Sequence, residues 1–80
     1  MQLQLIQGNF NKEDAAQIIR EMINIKINFH SNKITRESSE ELIKFREKKI
    51  LALQNELQSL NLYLSSQDNN ITLNAQIDLS

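Results

Sequence analysis

Residues 22–29 read Met-Ile-Asn-Ile-Lys-Ile-Asn-Phe, and the fold turns on whether this stretch is helix or strand. Taken alone it alternates: Ile23, Ile25, Ile27 and Phe29 are separated by Asn24, Lys26 and Asn28. That is the period of a half-buried strand, and isoleucine and asparagine are only middling helix formers. Upstream, however, Ala15, Ile18, Met22, Ile25 and Phe29 recur at steps of three and four. Ala16, Ile19, Ile23, Ile27 and Ile34 form a second row beside them. The two rows make an apolar surface wider than a simple two-helix seam requires. No turn residue separates Met22 from this pattern, so the stretch is read as part of one helix over about 11–32, with a strand as the alternative.

Working toward the N-terminus, Asn11 is a good N-cap, and Glu13 and Asp14 place negative charge at the positive end of the helix dipole. Phe10 and Ala15 stand where a hydrophobic staple would fix the approach of the chain. Before them Met1, Leu3 and Leu5 alternate with Gln2 and Gln4, which predicts a strand over 2–7. Gly8, the only glycine, is read as a change of direction after it.

Working toward the C-terminus, Ser38 followed by Glu41 has the spacing of a capping box and predicts a second helix over about 38–65. Along it Ile43, Ile50, Leu53, Leu57, Leu60 and Leu64 follow a coiled-coil-like seam that only Arg46 interrupts. The Asn/Asp cluster at 67–70 predicts a turn. Ile71, Leu73, Ala75, Ile77 and Leu79 then alternate with Thr72, Asn74, Gln76 and Asp78, a strand over about 71–79. The expected architecture is therefore mainly α (α+β), a single domain over 1–80 in the order β-α-α-β. A long antiparallel helical hairpin carries a short two-stranded element formed by the chain ends.

Size and composition narrow the function. Eighty residues bury only a thin core, and there is no cysteine to supply disulfides or thiolate metal ligands. An isolated two-stranded ribbon is marginal in water, and Leu42 and Phe45 lie off the main helical seam. Dimerisation would complete both elements, so a homodimer is expected, with self-association through Leu42, Phe45, Ile71, Leu73 and Ile77. The net charge of −1 gives no global field for nucleic acid or an acidic membrane. Locally, 33–50 holds six basic residues against four acidic ones, and 51–80 holds no basic residue. Lys44, Lys48 and Lys49 are candidate phosphate contacts, with a solvated helix face as the plainer reading.

No run approaches the length of a membrane-spanning helix and no secretory leader is visible, so a cytoplasmic location without membrane contact is expected. His30, the only histidine, falls on the face of Ile23, Ile27 and Ile34. Ile27 stands where a helical Glu-x-x-His metal motif needs an acid, so a hydrogen-bonding role is expected for His30. Glu37, Glu40 and Glu41 read as capping and dipole compensation. With one glycine there is no phosphate-cradling loop, and no catalytic, cofactor or metal site is expected. The functional expectation is a non-enzymatic oligomeric interaction module: a scaffold, adaptor or regulator presenting its hairpin, possible partners including another protein. The alternatives are a nucleic-acid-associated regulator using 44–49 and, less favoured, a small-molecule binder at the dimer interface.

Overall fold

A computed structural model describes every residue from Met1 to Ser80. Its elements are β1 (Gln2–Asn11), α1 (Lys12–Ile34), α2 (Glu40–Ser65) and β2 (Asn70–Asp78). The β-α-α-β order matches the expectation, with a two-stranded antiparallel sheet formed by the chain ends. The 22–29 stretch is helical throughout. The rows that begin at Ala15 and Ala16 override the local alternation, because α1 buries Ala15, Ala16 and Ile23 along its length.

Helix α1 starts as its sequence dictates. Asn11 Oδ1 accepts the Asp14 backbone N–H at 2.8 Å, and Asn11 Nδ2 donates to the Asp14 carboxylate at 3.1 Å. Helix α2 starts one residue later than the capping box implies. Ser39, not Ser38, is the N-cap, and its hydroxyl accepts the Leu42 N–H at 3.4 Å. Glu37 is the reason: its carboxylate accepts the backbone N–H groups of both Ser38 and Ser39, at 3.1 and 3.2 Å. The acid that serves this turn thus comes before the cap, and Glu41 is exposed.

Strand β1 runs four residues beyond its expected end, and the reason is a bulge. The ladder pairs Leu3 with Ile77, then slips at Leu5, and continues with Ile6 opposite Ala75, Gly8 opposite Leu73 and Phe10 opposite Ile71. Gly8 is therefore a ladder residue and not a turn. Its φ of +145° is open to glycine and strained for any side chain. The other face of the ribbon pairs Gln4 with Gln76, Gln7 with Asn74, Asn9 with Thr72 and Asn11 with Asn70. Gln4 fastens the bulge, its amide nitrogen lying 2.8 Å from the Ile6 carbonyl, 3.1 Å from the Ala75 carbonyl and 2.7 Å from Asn74 Oδ1.

At the open end of the hairpin, Lys12 ties α1 to the turn between α2 and β2. Its backbone N–H donates to the Asn69 carbonyl and its ammonium to the Gln67 carbonyl at 3.2 Å. At the far tip of the ribbon, Met1 and Leu79 exchange backbone hydrogen bonds. Between these two points the ribbon is thinly supported.

The molecule is angular, not round. Its radius of gyration is 15.2 Å, against about 12 Å for a compact domain of this length. It measures 45 × 33 × 14 Å. Only Ala15, Ala16, Ile23, Leu53 and Leu64 are buried.

Candidate interaction surface

The two long sides of the hairpin differ in chemistry. Side chains step about 100° per residue round a helix, so positions can be measured from Ile23 on α1 and Leu53 on α2, which face the seam. In one rotational sense α1 carries Ala15, Met22, Phe29, Ile18 and Ile25, about 80° to 160° from Ile23. In the same sense α2 carries Phe45, Tyr63 and Ala52, about 80° to 100° from Leu53. Two antiparallel helices related by an approximate two-fold turn the same rotational sense to the same side. These residues therefore share one side of the hairpin.

The grooves along the seam fall on these two sides, and charged residues line both. Lys26, His30, Lys49, Ala52, Leu53 and Glu56 line the groove on the apolar side. Glu13, Ala16, Arg20, Asn61, Leu64 and Ser65 line one on the other side, together with Lys12. There Arg20 Nη2 donates to Asn61 Oδ1 at 2.6 Å, a charge-assisted bridge between the two helices.

The apolar side holds a cluster of aromatic and cationic side chains. Arg46, the residue that interrupts the seam, reaches across to α1 and places Nη1 3.0 Å from His30 Nδ1. Arginine can only donate, so His30 Nδ1 accepts and the ring is the neutral Nε2–H tautomer in this contact. The Arg46 guanidinium also sits 5.7 Å from the Phe29 ring centroid, while Lys33 Nζ lies 5.6 Å from it. The His30 ring meets Phe29 edge-on at 5.4 Å. On α2, Lys49 Nζ stands 5.3 Å over the Phe45 ring. Cations over aromatic faces are attracted by the ring quadrupole, so both rings are held in place while staying about half exposed, at 53% for Phe29 and 49% for Phe45. Arg46 Nε is buried and has no partner.

The ribbon contributes the second apolar area. Ala15 is completely buried although it points well away from α2, so the root of the ribbon covers it. Phe10, Ile71 and Leu73 at that root are half-buried. Further out cover is lost: Leu3 and Ile77, cross-strand partners, are about 40% exposed, and Met1 and Leu79 are more so. The ribbon packs against α1 and not α2, and its root lies on the side of α1 that carries Ala15, Met22 and Phe29.

The candidate self-association residues thus fall in two places. Leu42 and Phe45 lie near the closed end of the hairpin, and Ile71, Leu73 and Ile77 lie on the ribbon. Of the candidate phosphate contacts, Lys44 and Lys48 project into solvent and Lys49 turns to Phe45. Missing from the sequence reading is Phe29 with its cationic neighbours. The spacing held a clue, since Lys33 follows Phe29 and Lys49 follows Phe45 by four residues, one helical turn. The partnership of Arg46 with Phe29 and His30 depends on how the helices register, which no local spacing reveals.

No three His, Asp or Glu side chains converge to hold a metal ion, and no helix is long and apolar enough to cross a membrane. No family model matches the chain, and neither does any curated protein or solved structure.

Proposed function

We propose that the chain is a non-enzymatic interaction module, an oligomeric scaffold, adaptor or regulator, that works as a homodimer and presents its helical hairpin. One observation carries this reading. The accessible surface is 6353 Å², whereas a compact monomer of this mass exposes about 5,000 Å². The excess of about 1,400 Å² exceeds the roughly 800 Å² that each partner contributes to a standard stable interface. The grooves of the single chain are shallow and lined by charged residues, which supports binding through surfaces over chemistry in a cavity.

The test is molar mass in solution, by size exclusion with light scattering across a wide concentration range. A mass twice that of the 9.3 kDa chain is expected. A single-chain mass at every concentration would remove the homodimer.

A second reading is favoured by a separate observation: two half-exposed aromatic rings carry Lys33, Arg46 and Lys49. Stacking platforms within a basic surface are how single-stranded nucleic acid is bound without sequence preference. Oligonucleotide binding that weakens steeply with salt would support it, and no binding at low salt would eliminate it.

A further inference from the structure

We infer that the second copy docks antiparallel, the closed end of each hairpin seated on the overhanging ribbon of the other, with Phe29 and Phe45 against the Leu3–Ile77 face. This rests on the homodimer proposed above and assigns its surface and direction.

The first argument is apolar complementarity. The molecule has two separated apolar areas that its own fold leaves open, the Phe29–Phe45 patch and the outer ribbon. Neither reaches the other within one chain: Phe29 and Phe45 flank the closed end, while the ribbon is rooted at the open end. The root of the ribbon, over Ala15, lies on the same side of α1 as Phe29. A two-fold axis perpendicular to the helices brings each onto the other, and brings them together twice.

The second argument is charge. Residues 26–49, the closed half, carry seven basic and four acidic side chains. The remainder, the open half with the ribbon, carries two basic and six acidic ones. The halves therefore have net charges of +3 and −4. Stacking closed end on closed end would set like against like at both ends. Stacking closed on open removes that repulsion, because the ribbon carries a single charged side chain, Asp78, and like-charge juxtaposition is a strong discriminator between competing docking modes.

The chain has no cysteine, so engineered thiols report docking without background. Asn32→Cys marks the closed end and Ser80→Cys the ribbon tip; both positions are exposed and uncharged. The two single variants are mixed, re-equilibrated and treated with a short bifunctional thiol reagent. The expected product joins Asn32→Cys of one chain to Ser80→Cys of the other, with each variant alone giving little. Dominant products within either variant alone, or a dimer with no cross-link, overturn the antiparallel arrangement and leave the dimer standing. A single-chain mass removes both.

Phe29→Ala with Phe45→Ala is expected to raise the dimer dissociation constant at least about tenfold. Leu62→Ala, at a 74% exposed residue on the far side of α2, is expected to leave it unchanged. Raising salt is expected to weaken the dimer several-fold, since exposed charge complementarity is screened. If the aromatic pair changes oligonucleotide binding but not dimer affinity, a polyanion and not a second copy occupies the patch, and the inference fails.

Discussion

Gly8 and Arg46 each break a local rule for a reason found elsewhere in the fold. The +145° φ at Gly8 lets β1 continue through a position opposite Leu73 where a Cβ has room, its nearest neighbour being Phe10 Cε2 at 3.8 Å. Gly8→Ala is therefore expected to cost about 1–3 kcal/mol through backbone strain alone, read as a lower urea midpoint. Arg46 occupies a seam position and meets a single side-chain acceptor on α1, the His30 Nδ1. His30→Leu strands a partly buried guanidinium and should cost about 1–3 kcal/mol, whereas His30→Leu with Arg46→Leu should recover most of that loss. A double-mutant cycle on the denaturation midpoints checks this. His30 was legible as a hydrogen-bonding residue because its helical face is apolar and no metal motif surrounds it. Its partner was not, because Arg46 looks like a mere interruption until the register of the two helices is known.

Element boundaries follow the same division between local and distant causes. The cap of α1 lies in its own sequence, Asn11 with Asp14 three residues on, and it forms as read. The cap of α2 shifts to Ser39 because Glu37, outside the expected box, takes the N–H groups first. In β1 the apolar positions change from odd to even at the Leu5–Ile6 pair, and Gly8 two residues on reads as a change of direction. The fold instead absorbs Leu5 as a bulge, and the alternation on either side joins into one face. Deleting Leu5 should then be tolerated, because Gln4 followed directly by Ile6 restores unbroken alternation. Deleting Asn9 should not, because it turns Phe10 to the amide face. Thermal melts of the two deletions are expected to differ sharply, with only the second losing the cooperative transition.

For the whole molecule, the decisive quantity is how little lies inside. Five buried residues leave a single chain poorly insulated, and stability of a folded dimer is inseparable from its concentration. The melting temperature is expected to rise with protein concentration over a hundredfold range; a constant value would mean the single chain holds its fold unaided. Leu53, buried in the seam, offers a sharper probe: Leu53→Ala should cost about 2–5 kcal/mol, enough to unfold so thin a core. The order of elements was legible in the chain because each is amphipathic at its own period. The shape was not, because nothing in those periods states at what angle the ribbon leaves the hairpin.

The ladder between β1 and β2 also has a bearing on time. Asn11 and Asn70 are 59 positions apart and Gln2 and Asp78 are 76, so none of these pairs is local. A chain meets such pairs late, since a long loop must close before any of them is rewarded. The helical hairpin, turning within residues 35–39, closes that loop first and delivers Asn11 to Asn70. From there the strands can only zip outward, through Phe10 and Gly8, past the bulge, to Met1 and Leu79. Amide protons should accordingly exchange in a gradient, slowest near Ile71 and fastest at the tip, and a variant that loosens the hairpin should release the entire gradient at once.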